Sequence, residues 1–427
     1  MASKYLRSSV LRKRMLDVVK LAVGGGVTFV GINIYMQNEK FYESWVMPVF
    51  RRIDPETAHN LAVLAARYHL VPKTKIKESK LLESQVFDIP FKTPVGLAAG
   101  FDKNGEAVEG LFEMGFSFVE VGSITPLPQP GNPKPRVFRL PEDKGVINRY
   151  GFNSDGHEAV YERLSQLPPP GMRQGVLGIN LGKNKTSDDP FEDYCLGVKK
   201  FGPIADYLVV NISSPNTPGL RTLQHREHLE KLLNAVLEAK NSLPEGQKPP
   251  ILIKIAPDLS AEDKQDIANV ILSKKQQING LIISNTTVTR PSTLQCERKE
   301  EIGGLSGEPL KSLATSTIRD FYHLTDGCLP IIGVGGISSG EDAYEKIRAG
   351  ASLIQLYSGL IYHGPPLVKK ITNELEELLR RDGFSSIKEA VGADKVMNAD
   401  KEVCEHTVDA KAEAANGEFY ESSDSKK

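Results

Sequence analysis

Cysteine is scarce: Cys195, Cys296, Cys328 and Cys404 are the only four in 427 residues, far apart and at no metal-ligand spacing. That excludes a disulfide framework, suits a reducing compartment and leaves no zinc or other metal site to expect. An excess of one charge is missing as well, since 53 Lys and Arg stand against 54 Asp and Glu for a net charge of -1. Without a basic stripe through the middle of the chain, the composition argues against nucleic acid as a partner. No carboxylate pair or Ser-His-Asp spacing stands out, and His225 and His228 read as lid or surface residues. What is present, 40% hydrophobic and 25% charged residues, suffices to bury one large core or two smaller ones.

The start differs from the rest. Residues 1–20 carry Lys4, Arg7, Arg12, Lys13, Arg14 and Lys20 against one acid, Asp17, with Ser3, Ser8 and Ser9 among them, the pattern of a mitochondrial targeting segment. Residues 21–38 hold no charged side chain and come near the lower end of the roughly 17 to 25 that cross a bilayer, so a single transmembrane helix is expected there. A secretory signal peptide shares these features, but the basic start is long and no small-x-small cleavage site closes the run. Residues 39–72 read as an amphipathic helix pair. Tyr42, Trp45, Val46, Val49, Phe50 and Ile53 recur at helical spacing; then Asp54 as N-cap and Pro55 at the first helical position open a second helix with Ala58, Leu61, Ala62, Ala65 and Tyr68 on one face. Such a pair can pack on the next domain, or lie on the bilayer as a platform admitting a lipid-soluble ligand.

Over residues 76–394 apolar, β-branched runs alternate with helical patterns. The runs fall at 94–98, 116–121, 176–181, 207–212, 251–255, 280–283, 330–334 and 352–356. Strands alternating with helices imply a parallel sheet, and eight of them in about 270 residues fit a closed (β/α)8 TIM-type barrel, with an open doubly wound sheet as the competing α/β fold. The Pro-rich stretch 125–141 reads as loops or small strands at the barrel mouth. Residues 395–427 mix Lys, Glu, Asp and Ala with few large apolar residues, and a disordered tail is expected.

In such a barrel the site lies at the C-terminal strand ends, and here these are polar. The run 207–212 ends in Asn-Ile-Ser-Ser-Pro-Asn-Thr-Pro-Gly-Leu-Arg, 211–221, where Pro215 and Pro218 stiffen a loop of hydroxyls and amides. Residues of that kind are common turn formers; their recurrence at Gly100 to Lys103, Ser123, Asn180, Lys254, Ser284 to Thr286, Gly335, Gly336, Tyr357 and Ser358 implies a polar ligand across the mouth. Glycine-rich turns after the seventh and eighth runs, with Ser306 and Gly307, offer backbone N–H groups to a phosphate. Lys254, inside the barrel in Ile-Lys-Ile, is costly to bury unless it meets an anion or loses its charge, which allows a Schiff-base lysine or one facing an electron-rich cofactor. Asn148, Asn211, Asn216 and Asn285 complement a planar ring bearing amides and favour the cofactor.

Six motifs sharpen this: Gly-Phe-Asp-Lys-Asn-Gly-Glu at 100–106, Asn-Arg-Tyr-Gly-Phe-Asn at 148–153, Asn-Leu-Gly-Lys-Asn-Lys at 180–185, the loop 211–221, Ser-Asn-Thr-Thr at 284–287 and Gly-Gly-Leu-Ser-Gly at 303–307. Together, over about residues 40–394, they resemble class 2 dihydroorotate dehydrogenase, the membrane-bound enzyme of pyrimidine synthesis. The resemblance implies FMN lined by Ala98, Ala99, Gly100, Phe101, Asp102, Ser123, Asn180, Asn211, Lys254 and Ser284, with its phosphate on Ser306, Gly307, Gly335, Gly336, Tyr357 and Ser358. It implies dihydroorotate held by Lys103, Asn148, Arg149, Tyr150, Gly151, Phe152, Asn211, Ser214, Asn216, Asn285 and Thr286, with Ser214 as catalytic base through a relay in which Thr217 and water take part. Ubiquinone would enter between the helices of 39–72 near His59, Arg139 and Tyr357, at the mitochondrial inner membrane, in a monomeric chain. The rivals are an aldolase-type barrel with Lys254 as Schiff base, and a membrane-tethered barrel that only binds a phosphorylated ligand.

Overall fold

A computed structural model of the chain describes residues 2–76 and 78–394, so the charged tail expected at 395–427 lies outside the described residues. Helix α1, Ala2–Tyr35, contains a 24-residue stretch, Arg12–Tyr35, apolar and long enough to cross a bilayer, with none of it buried against the rest of the chain. Thr28 Oγ1 and Asn33 Nδ2 donate to carbonyls one turn back, at 2.9 Å each, so these polar groups are satisfied within the helix. The apolar stretch thus shares residues 21–35 with the expected 21–38, begins earlier at Arg12 and stops at Tyr35. Asn38 cannot extend it, because its side chain accepts Phe41 N–H and starts the next helix.

That next segment is a single bent rod, Glu39–Phe41 and Met47–Arg52 around a π turn, Tyr42–Val46. The π turn rotates the helical face, so Tyr42 is buried while Trp45 and Val49 are exposed. Helix α2, Pro55–Arg67, starts as its sequence requires, with Asp54 Oδ1 accepting Thr57 N–H at 2.9 Å and Pro55 in the first turn. Leu61, Leu64, Tyr68 and Leu70 extend the exposed apolar surface of the pair.

The barrel strands are β1 Val95–Leu97, β2 Phe118–Ile124, β3 Val176–Leu181, β4 Tyr207–Asn211, β5 Ile251–Ile255, β6 Gly280–Ile283, β7 Ile331–Val334 and β8 Leu353–Leu356. Each pairs in parallel with its sequence neighbours, and β8 pairs with β1, so the sheet closes and the open alternative is excluded. Alternate residues point inward. Phe118, Val176, Tyr207, Leu252, Ile282, Ile332 and Leu353 form the inner core, while their neighbours Val119, Leu177, Leu208 and Ile253 pack under the helices. Gly178 makes room for one large ring: a Cβ there would lie 2.1 Å from Tyr207 Cζ. A hairpin, Ser84–Val86 with Ile89–Phe91, plugs the barrel floor, with the Phe91 ring edge-on to Phe118 at 5.3 Å. At the other end the Pro-rich stretch supplies Val137–Leu140, which joins Gly145–Asn148 and Gly304–Gly307 in a small antiparallel sheet.

Candidate active site

One cavity of about 490 Å³ begins at Ile34 near the end of α1, passes between the bent rod and α2, and ends on the barrel strand tips. Its outer part is apolar, with Val46, Phe50, Ala58, Leu61, Ala62, Leu360 and Pro365 in the wall; its inner part is lined by Ser123, Asn148, Asn211, Ser214, Asn216, Lys254, Ser284, Asn285 and Thr286. Ala98, Ala99, Gly100, Phe101, Lys103, Tyr150, Gly151, Phe152, Ser306, Gly307, Gly335, Gly336, Tyr357 and Ser358 also reach it, as do His59 and Arg139.

The amides form two bonded groups. Asn211 Nδ2 donates to Ser123 Oγ at 2.8 Å and to Asn180 Oδ1 at 3.1 Å, and its Oδ1 accepts Ser213 Oγ–H at 2.8 Å. Asn285 Nδ2 donates to Ser213 Oγ at 2.9 Å, and Asn216 Nδ2 to Asn148 Oδ1 at 3.3 Å. Ser214 is buried on the cavity wall, its Oγ accepting Asn216 N–H at 3.3 Å. At the ends of β7 and β8, Ser306 and Ser358 hydroxyls are 2.8 Å apart, and Gly335 and Gly336 take φ of 119° and 70°, a left-handed pair that only glycine adopts without strain.

Lys103 sits where the polar and apolar parts meet. Its Nζ donates to Gly100 O at 2.6 Å and lies 4.1 Å from the centre of the Tyr150 ring. Arg136 lies over the same ring at 5.1 Å and is bound by Glu56 of α2 through two N–H···O contacts, 2.7 and 3.2 Å. Burial pushes the Lys103 amine down to about 8. Burial and the Lys103 charge hold His59 well below the usual histidine range. His59, Phe101 and Tyr357 form an aromatic cluster with centroids 5.3 to 6.3 Å apart. Arg139 Nη1 donates to Arg51 O and Ile53 O at 3.0 and 2.7 Å, closing the C-terminal end of the rod.

Three expected residues stand elsewhere. Asp102 is fully buried, and its carboxylate accepts Glu106 and Ala107 N–H at 2.8 Å each, so it shapes the loop and does not line this cavity. Arg149 turns outward to pair with Glu301 at 2.7 Å and covers Phe138. Asn180 lies one layer below the surface of the site, bonded to Glu120, Ser123 and Asn211, and orients the wall without forming it. Sequence reasoning missed Glu120, Gln355, Glu56 and Arg136. Glu120 and Gln355 carried a signal: a polar side chain at an inward position of an otherwise apolar strand. Glu120 Oε1 is 3.6 Å from Lys254 Nζ, the anion that a buried lysine requires.

The profile of the dihydroorotate dehydrogenase family matches residues 81–379. The mitochondrial dihydroorotate dehydrogenase (quinone) of Mus musculus is 54% identical over 392 residues, 90% of this chain and 98% of its own length. The chain belongs to the dihydroorotate dehydrogenase family. It falls in class 2, the quinone-dependent branch, since the enzyme of Rhodospirillum rubrum, also named dihydroorotate dehydrogenase (quinone), is 52% identical across 81% of this chain and 93% of its own. A crystal structure of the Eimeria tenella enzyme in complex with ferulenol superposes with a TM-score of 0.77 at 44% identity, covering 80% of this chain and 96% of that one. With this membership, and with Lys254 held by Glu120, the Schiff-base alternative loses its basis.

Proposed function

We propose that the chain oxidises dihydroorotate to orotate with FMN as hydride acceptor and passes the electrons to ubiquinone, as a monomer held at the mitochondrial inner membrane by α1 with its barrel outside the bilayer, in UMP biosynthesis. The observation that carries this reading is the one continuous cavity, polar at the strand tips and apolar between the helices, which opens beside a membrane-length helix. The residues present fit the flavin. Among the described residues, Thr286 Oγ1 and Gln355 Oε1 are buried on the cavity wall without a hydrogen-bond partner, and a paired lysine and two left-handed glycines complete a polar cradle.

Ser123, Asn211, Lys254 and Ser284 would hold the ring and ribityl chain, and Ser306, Gly307, Gly335, Gly336, Tyr357 and Ser358 the phosphate. When bound, FMN supplies the acceptor for the hydride leaving one substrate ring carbon. Ser214 takes the proton from the neighbouring carbon. A lone serine is a weak base, so as Ser214 takes the substrate proton its own hydroxyl proton passes to water; Thr217 Oγ1, buried on the same loop, makes no hydrogen bond to it among the described residues. Lys103 matches the substrate carboxylate, and the four asparagines match its ring amides. The apolar arm admits a quinone ring past His59 and Tyr357.

The visible spectrum of the purified enzyme tests the reading. A yellow protein that dihydroorotate bleaches without oxygen and quinone recolours is expected; a colourless protein free of flavin would overturn it.

A further inference from the structure

Glu120 has no exposed surface, yet four side chains converge on its carboxylate. Oε1 accepts Asn180 Nδ2–H at 2.7 Å and faces Lys254 Nζ at 3.6 Å; Oε2 accepts Gln355 Nε2–H at 2.6 Å and the Tyr207 hydroxyl at 3.5 Å. Lys254 and Gln355 reach the cavity wall and Glu120 does not. The ion pair is therefore oriented, with its cation toward the ligand space and its anion one layer behind. Asn180 carries the same anchor outward, through its bonds to Ser123 and Asn211.

We infer that Glu120 is a positioning residue for the flavin reaction, the counter-ion that sustains the Lys254 ammonium toward the cofactor. The inference rests on the flavin reading above. An ammonium buried beside apolar strands is costly without an anion, so loss of the carboxylate removes the partner that holds the cation in place. The charge that favours the more anionic, reduced flavin thus belongs to the pair and not to the lysine alone.

The test measures the reduction potential of the bound flavin in the full-length enzyme, its Glu120→Gln and Lys254→Met variants and the double variant. Glu120→Gln should bind reduced FMN about tenfold more weakly relative to oxidised FMN, a fall of about 30 mV in the two-electron couple. In the Lys254→Met background the same change should add nothing. A potential that stays put or rises, or a fall that adds to that of Lys254→Met, would overturn the role of Glu120. Should Glu120→Gln fail to fold, Glu120→Asp takes its place: it keeps the charge but shortens the reach, and a fall of the same sign is required. Absence of flavin from the unmodified enzyme would defeat the flavin reading itself, whereas normal flavin with unshifted variants defeats only this inference.

Discussion

Lys103 Nζ and His59 Nε2 stand 3.5 Å apart and join the two arms of the cavity. One belongs to the loop after β1 and the other to α2, so the helix pair meets the strand-tip end of the cavity directly. Their charges cannot both be present at low cost, and the imidazole is the one kept neutral.

Binding of dihydroorotate should therefore follow the Lys103 amine. In the ligand-free enzyme burial brings it to about 8, so it is cationic below that pH and neutral above. KM for dihydroorotate should rise about tenfold as pH passes upward through that region, the scale of one charge-assisted hydrogen bond. Lys103→Met should give a high KM with no such limb. An identical pH profile in that variant would assign the limb to another group.

Ser214→Ala should slow flavin reduction by dihydroorotate about a thousandfold, within the range of general-base contributions. FMN content should not change, because Ser214 sits on the 211–221 loop and, among the described residues, its hydroxyl accepts only from Asn216. Anaerobic stopped-flow absorbance reads the rate; an unchanged rate would remove Ser214 from the role.

Gly178→Ala probes the barrel interior. Its Cβ would meet the Tyr207 ring at 2.1 to 2.4 Å, and that ring is fully buried with its hydroxyl against Glu120. Thermal unfolding should show a loss of about 3 kcal/mol, the upper end for overpacking. Unchanged stability would mean that the ring has room to move.

Much of this was legible in the sequence because it is local. The eight strands end within two or three residues of their apolar runs, and Asp54-Pro55 marks the start of α2 as written. Spacing along the chain also brought Asn211, Ser214, Asn285 and Lys254 to one wall. What sequence could not supply is direction. Asp102 and Arg149 sit inside motifs whose neighbours line the cavity, yet backbone geometry turns one into a loop anchor and the other toward Glu301. Partnership across the barrel was hidden too: Glu120 and Lys254 lie on strands far apart in order, and only closure makes them neighbours. The π turn at Tyr42–Val46, which shifts the exposed face of the rod, has no plain sequence mark.

The central claim is that one cavity serves both half-reactions, with quinone in the apolar arm. Ala62 lines that arm on α2, away from the strand tips. Replacing it with Trp and following the flavin in anaerobic stopped flow separates the halves. The account predicts that dihydroorotate bleaches the flavin at the normal rate while reoxidation by a short-chain ubiquinone falls about a hundredfold, the scale of a small misplacement of reactants. Reoxidation at the normal rate with the arm blocked would contradict it.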